Sequence, residues 1–262
     1  MLRSILGATD DTPDHLTQDA FLGGKLYILQ PKVGFRSGID AVLLAASVPA
    51  ISGDTVLELG CGVGAASLCL HTRVKGLTIT GVELQANYAK LAERNAASLA
   101  ADMAVVTADL RALPAPLRQQ QFTHVMMNPP YYDRAQGPAA TDPTRDIALA
   151  GDTPLADWLD VGIKRLAPKG TLTIIQHITR LPEVLTALEG RLGSLILQPI
   201  AGRANAAPGL FLLQGRHSGR TPFAMHAALV MHEGAAHSRD AESYTSQLQA
   251  ILRDGAALPL ID

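Results

Sequence analysis

The chain has 262 residues, of which 47% are hydrophobic and 18% charged, a composition that can bury a substantial core and excludes wholesale disorder. No apolar stretch reaches the roughly 18 to 20 residues needed to cross a bilayer; the longest, Ala41 to Ile51, is interrupted by Pro49, which argues against an integral membrane protein. A net charge of −2 gives no global attraction to nucleic acid or anionic lipid, so a polyanionic partner has to be met by a local patch.

Residues 1–50 open with Asp10, Asp11, Asp14 and Asp19, pass through Gly23-Gly24 and a strand-like Lys25 to Gln30, and end in a helix expected from Asp40 to Val48. They read as an amino-terminal cap on the rest of the chain. Met1 to Leu6 lacks the apolar centre of a signal peptide, so a cytoplasmic location is expected. From Asp54 onward, short β-type runs alternate with Ala-rich helical stretches. Strands are expected at Thr55–Leu59, Thr78–Glu83, Ala104–Thr107, Thr123–Met127 and Thr171–Gln176. Helices are expected at Gly64–His71, Gln85–Ala100 and Pro154–Ala167, the last capped by Thr153 and stopped by Pro168. This alternation predicts an α/β fold, a doubly wound and mostly parallel seven-stranded sheet with helices on both faces. The stretch 193–232 reads as strands Ser194–Ile200, Leu210–Leu213 and Ala224–Met231 with no helix between them, giving the sheet an antiparallel carboxyl-terminal ending. The cap and residues 51–262 are expected to form one compact domain. Asp133 to Thr153 is the one long irregular connection, and loops of that length are usually functional or mobile.

Cys61 and Cys69 form no CxxC pair, and the eight histidines form no HExxH or His-x-His pattern. Neither a disulfide framework nor a metal site is expected. Cys61 reads as a small turn residue, not as a nucleophile.

The strand Thr55–Leu59 runs directly into Gly60-Cys61-Gly62-Val63-Gly64, a turn that lets backbone approach a ligand closely. Two ligand classes compete for it. Gly60-x-Gly62-x-x-Ala65 satisfies the dinucleotide pattern, with Glu83 near the distance of a ribose-binding acid. Glu58, two residues before the first glycine, favours a ligand that carries an ammonium, from which a pyrophosphate site gains nothing. S-adenosyl-L-methionine presents an ammonium, a carboxylate, a ribose and an adenine, with no phosphate for the helix amino terminus. On that reading Glu58 takes the ammonium, Glu83 the ribose hydroxyls and Asp109 the adenine amino group. Cys61 and Leu84, neighbours of these anchors, are counted in the same cofactor site. Three acids at successive strand ends suit a fold whose ligands bind at the carboxyl ends of its strands. The plainer alternative is that such acids are helix N-caps or solvated loop residues.

After the fourth central strand stands Asn128-Pro129-Pro130-Tyr131-Tyr132. Two prolines fix two φ angles, remove two backbone donors and push Asn128 and Pro129 toward extended conformations. The result is a stiff loop whose acceptors have no neighbouring donors, which suits an amino group. Methyl transfer to the nitrogen of an amide or aromatic amine needs this, because the nitrogen lone pair is delocalised and geometry has to activate it. If the Asn128 side-chain oxygen and the Pro129 carbonyl each accept one N–H, the nitrogen is drawn toward tetrahedral geometry and its developing charge is stabilised. Tyr131 offers a face for stacking a planar acceptor, worth roughly 1 to 3 kcal/mol for a base, and Tyr132 is a second candidate. A rigid turn whose tyrosines pack on the core is the alternative.

With these motifs the sequence resembles the class I S-adenosylmethionine-dependent methyltransferases that carry an Asn-Pro-Pro-Tyr motif. More closely, from about Phe21 to Ile200, it resembles the family that methylates N6 of the adenine beside the anticodon of a valine tRNA. Gly38-Ile39-Asp40-Ala41-Val42-Leu43-Leu44 is similar to that family's segment before the first strand, approximately Gly-Thr-Asp-Gly-Val-Leu-Leu. The resemblance implies a Rossmann-like methyltransferase fold and S-adenosyl-L-methionine as cofactor. It places Gly38 and Asp40 near the methionine end of the cofactor. It gives cofactor roles to Glu58, Gly60, Gly62, Glu83 and Asp109, and acceptor-site roles to Asn128, Pro129, Pro130 and Tyr131, with Asn128 shared between the two. The same tetrapeptide resembles that of protein-glutamine N5-methyltransferases, but some 50 residues before the first strand are too few for their helical substrate domain, which favours adenine. An RNA partner, a tRNA on this resemblance, needs cations. Arg203, Arg216, Arg220 and His217 supply them in the strand-rich tail, where no acid occurs from Pro199 to Met231, with Lys25, Lys32 and Arg36 near the cap. Arginines on a solvated strand edge are the alternative. A protein glutamine or small-molecule oxygen as acceptor, and a nicotinamide-binding oxidoreductase, remain the competing functions.

Overall fold

A computed structural model describes residues 13, 15–131, 153–234 and 243–260. Asp10, Asp11, Asp14, Tyr132 and all but the last residue of the 133–153 connection lie outside the described residues.

The first described elements form an antiparallel hairpin of β1 (Leu16–Phe21) and β2 (Leu26–Pro31), with Asp19 opposite Ile28. The acidic opening therefore contains a strand that its composition hides. Asp19 sits there because Gln30 Nε2 donates to it at 2.7 Å and Arg36 pairs with it at 2.5 Å. Ser37 N in turn donates to Gln30 Oε1 at 2.7 Å, so the hairpin fixes the loop leading into α1 (Ile39–Ser47).

The central block follows the expected alternation: β3 (Thr55–Leu59), α2 (Ala65–Arg73), β4 (Thr78–Glu83), α3 (Ala86–Ser98), β5 (Met103–Thr107), a short α4 (Ala115–Gln119) and β6 (Phe122–Met127). Then come α5 (Leu155–Lys164), β7 (Leu166–His177), α6 (Leu181–Leu188), β8 (Leu192–Ala201) and β9 (Leu210–His217). Two-residue strands β10 (Ala224–Met225) and β11 (Leu229–Val230) follow, then a short α7 (Ser246–Gln249) that continues into a π-helical turn, Ala250–Asp254.

One sheet orders its strands β10-β8-β9-β7-β6-β3-β4-β5, with β11 also on β8. All neighbours are parallel except β9, which runs antiparallel to both β7 and β8. The sheet thus has nine strands, not seven. The expected strand Ala224–Met231 is instead two short ones on the edge of β8, each too brief to count as a full strand of the core.

Alternation along each strand splits the interior in two. Val56, Ile79, Met126, Ile175 and Leu212 face α1 and α2, whereas Leu57, Val82, Val125, Met127, Ile174 and Leu213 face α5 and α6. Helix α5 ends at Lys164, before the expected Ala167, because Leu166 already pairs with Phe122 at the start of β7. Pro168 therefore does not stop a helix; it lies in the irregular opening of β7, where the pairing register shifts. Thr153 does not cap α5 either, since its N-cap residue is Pro154, with no side-chain hydrogen bond.

Candidate active site

Because β3 to β7 are parallel, their carboxyl ends share one edge, and a cavity of about 220 Å³ opens there. Its floor is the glycine turn. Gly60 and Gly62 have φ of +68° and +54°, conformations that side-chain-bearing residues rarely adopt. A Cβ on Gly60 would come within 2.5 Å of the Trp158 ring, which forms the next part of the wall. Glu83 closes the side under β4. Its carboxylate accepts from Gly62 N at 2.9 Å and Gln85 N at 2.8 Å, so the acid organises the turn as well as lining the cavity. Burial raises its pKa, offset in part by those backbone donors and by Leu84 N.

Asp109 lines the far end and caps the turn Leu110–Ala112, accepting from Arg111 N at 2.8 Å and from the Arg111 guanidinium at 2.7 Å. Those bonds hold its carboxyl below the ordinary range. Leu84, exposed, is part of the same wall.

Three other expected cofactor residues lie elsewhere. Glu58 is buried and does not line the cavity; its Oε2 accepts from both Ser67 N and Ser67 Oγ at the start of α2. The reason is strand alternation. Glu58 shares a face with Val56, the face that α2 covers, so its side chain meets that helix. Burial pushes its carboxyl up to about 8. Cys61 is also buried and outside the wall; its Sγ fills the space a Cβ on Gly81 would occupy, 2.7 Å away. Gly38 is the residue before α1 and likewise does not line the cavity.

Asn128, Pro129, Pro130 and Tyr131 form the opposite wall, on the loop leaving β6. The Asn128 amide bonds toward the Tyr131 hydroxyl, and its Oδ1 is buried with no hydrogen-bond partner. An orphaned acceptor in a cavity wall is costly unless a ligand donor meets it. The Tyr131 hydroxyl donates to Asp40, the second residue of α1. Burial raises both the Asp40 carboxyl and the Tyr131 phenol, the phenol further because of the adjacent carboxylate.

Sequence reasoning missed four positioning groups. Gln176, fully buried near the end of β7, donates its Nε2 to the carbonyls of Pro129 at 3.2 Å and Pro130 at 3.4 Å, and its Oε1 accepts from His177 N at 2.7 Å. Trp158, the only tryptophan in the chain, packs on Gly60. Phe35 enters the cavity from the cap, held by Tyr88, whose hydroxyl accepts from Phe35 N and donates to Phe35 O. Gln176 and Trp158 are far in sequence from the other site residues, Phe35 and Tyr88 lie within five residues of Asp40 and Glu83, and none belongs to a motif. A polar residue in an otherwise apolar buried strand, Gln176 in Thr-Ile-Ile-Gln, was the one available signal.

The expected basic residues do not form one patch. Arg203 follows β8, which runs antiparallel to β9 as β7 does, so it lies on the cavity's edge of the sheet. Its guanidinium donates to the carbonyls of Glu233 and Gly234. Arg216, His217 and Arg220 stand at the end of the antiparallel β9, where Arg216 is opposite Thr171 and Phe211 is opposite Gln176. Five residues at about 3.3 Å each place Arg216 roughly 17 Å from the cavity's edge. In the cap, Arg36 pairs with Asp19 and Lys25 Nζ donates to Asp254 O.

Residues 36–147 match the family model described as the methyltransferase small domain. A tRNA1(Val) (adenine(37)-N6)-methyltransferase of Shewanella baltica (strain OS155 / ATCC BAA-1091) is 31% identical over 176 residues, 63% of this chain and 71% of that one. The chain belongs to the family of tRNA1(Val) (adenine(37)-N6)-methyltransferases. A member from Dickeya chrysanthemi (strain Ech1591) is 26% identical over 91% of this chain and 94% of its own length. Among solved structures, a predicted O-methyltransferase from Agrobacterium tumefaciens shares the fold with a TM-score of 0.68 at 24% identity, covering 84% of this chain and 98% of that one. This family member is an S-adenosyl-L-methionine-dependent N-methyltransferase with a Rossmann-like fold, and a nicotinamide-binding oxidoreductase is not favoured. The cavity suits that cofactor: a side-chain-free floor at Gly60 and Gly62 and a carboxylate at Glu83 beneath β4. Among the described residues no cluster of His, Cys, Asp and Glu is arranged to hold a metal, and no helix is long and apolar enough to cross a membrane.

Proposed function

We propose that this protein methylates N6 of an adenine in a tRNA, the reaction for which its relatives are named, with Asn128 as the central residue of the acceptor site. The observation that carries this reading is the buried, partnerless Oδ1 of Asn128 in the cavity wall beside two prolines that have no N–H of their own. An exocyclic amino group is the donor such an acceptor lacks. Glu83 and the Gly60–Gly62 floor hold the cofactor, which when bound supplies an electrophilic methyl group on a sulfonium.

Asn128 Oδ1 accepts one N–H of the target amine. The Pro129 carbonyl takes one bond from Gln176 Nε2, which fixes its direction and leaves its second lone pair for the other N–H. Two aimed acceptors localise the nitrogen lone pair and stabilise the charge that develops on it. No strong base is needed before methyl transfer. Tyr131, tethered by Asp40, presents its ring for stacking, and the adenine has to leave its own stack to reach it.

The test is a tritiated-methyl transfer with purified protein, labelled S-adenosylmethionine and total tRNA from a strain lacking this gene, followed by nucleoside mass spectrometry. N6-methyladenosine is the expected product. Unlabelled tRNA from a protein that still binds S-adenosylmethionine would assign the site to a protein amide or a small molecule instead.

A further inference from the structure

We infer that the amino edge of the sheet is a second RNA-contact surface, one that grips the phosphate backbone of the tRNA away from the adenine being methylated. The inference rests on the tRNA reading above and adds the surface that reading leaves unassigned. Its basis is the direction of β9. Were β9 parallel, Arg216 and Arg220 would flank the cavity; being antiparallel, it delivers them to the opposite edge, about 17 Å away.

They do not arrive alone. Arg216 Nε donates to Lys169 O at 3.1 Å, bringing the start of β7 and the end of β9 together. Arg220 follows Gly219, whose backbone lies so close to Gly193 that a Cβ on Gly193 would come within 2.1 Å of Gly219 O. That approach seats the Arg220 turn on the start of β8. Arg191, immediately before β8, and Lys164, the last residue of α5, share the carboxylate of Asp160 at 2.8 and 2.6 Å. Lys164, Lys169, Arg191, Arg216 and Arg220 are all exposed.

Acids are scarce at the β7–β9–β8 end of this edge. No Asp or Glu occurs in residues 161–182 or 190–232, and Asp160 is already shared by two cations. At this end the five exposed cations and Arg165 stand against Asp160 and Glu189, six positive groups to two negative ones, in a chain whose net charge is −2; Asp54 and Asp102 lie at the other end, before β3 and β5. Such a concentration of one sign on an otherwise weakly acidic protein is the footprint expected for a polyanion backbone. Among the described residues at the cavity edge, Arg203 is folded onto backbone carbonyls and Arg36 and Arg111 are ion-paired. On this inference the anticodon hairpin is held at the cavity edge and the remainder of the tRNA lies along the amino edge.

The experiment compares a full-length tRNA1(Val) transcript with its isolated anticodon hairpin, using the wild-type protein and a Lys169→Ala/Arg216→Ala/Arg220→Ala variant. Affinity is read by anisotropy over a salt series and methylation by label transfer. The expected result is that full-length affinity falls about tenfold or more at 0.1 M salt and its log–log salt slope becomes shallower by about 2 to 3, while hairpin affinity and methylation stay within about twofold. Equal loss on both RNAs, or no loss on either, would overturn the second surface. An unchanged melting midpoint excludes misfolding, and a single exposed change, Lys169→Glu, must weaken full-length binding in the same direction. If the wild-type protein methylates neither RNA, the acceptor reading itself fails, and this is visible before any variant is made.

Discussion

At the carboxyl edge of the sheet the polar groups are buried and held by backbone: Glu83 by two amides, Gln176 between two proline carbonyls, Asn128 with one atom left unpaired. At the amino edge the charged groups are exposed and lie on flexible side chains, with Asp160 shared between two cations. The two arrangements serve different ends. Fixed, desolvated groups provide direction and so can select one atom of a substrate. Exposed cations provide attraction without direction, which suits a backbone that repeats the same charge. The contrast predicts that damage to the first edge harms every acceptor RNA alike, and damage to the second harms only an RNA long enough to reach it.

The largest effect is expected from Asn128→Ala, which removes the unpaired acceptor. Turnover should fall by about 10²-fold or more, roughly 3 kcal/mol of barrier, on full-length tRNA and hairpin alike, with cofactor affinity by calorimetry unchanged. Near-normal methylation by this variant would remove Asn128 from the centre of the site.

Gly60→Ala tests the floor of the cavity. It forces a Cβ onto Trp158 and a residue with a side chain into the left-handed region. It should cost about 1 to 2 kcal/mol from backbone conformation alone and weaken cofactor binding about tenfold, seen as a smaller thermal shift on adding S-adenosylmethionine.

Gln176→Leu keeps the volume of the buried side chain but leaves two carbonyls without their donor, a loss of about 1 to 3 kcal/mol if they stay buried. Because the side chain aims the Pro129 carbonyl and does not line the cavity, kcat should drop about tenfold with the KM for RNA and the Kd for cofactor little changed. A parallel loss of all three would mean that Gln176 supports the fold and does not aim the loop.

Glu58→Gln should leave the chemistry nearly intact and change the response to pH. The folded carboxyl titrates near 8, above its ordinary 4.5. The folded state therefore binds more protons than the unfolded state between those values, and stability falls as pH rises from about 4.5 to 8. The glutamine keeps an acceptor for Ser67 and removes that slope, so its melting midpoint should fall less between pH 5 and pH 8 than that of the wild type. A cofactor affinity that also collapsed would restore Glu58 to the binding site.

Much of the site is legible in the amino-acid sequence because its parts are local. Strands β3 and β4 are readable to the residue, since their apolar runs end at a glycine turn and an acid. The Asn-Pro-Pro-Tyr loop announces itself by backbone constraint alone. Glu58 is legible as an acid at a strand end, but not its partner: alternation turns that side chain toward Ser67. Strand β1 is hidden by Asp19, whose partners Gln30 and Arg36 are supplied by the other strand and the loop beyond it.

The alternating α/β fold, the glycine floor, the acid at Glu83 and the rigid acceptor loop follow from the order of residues alone, because each depends on steric and hydrogen-bonding preferences of neighbours in the chain. That Gln176 aims the proline carbonyls, that Trp158 and Phe35 complete the walls, and that Arg216 and Arg220 stand at the edge opposite the cavity emerges from the assembled sheet. These facts depend on which strands lie side by side and in which direction, and direction is set by the packing of the whole sheet.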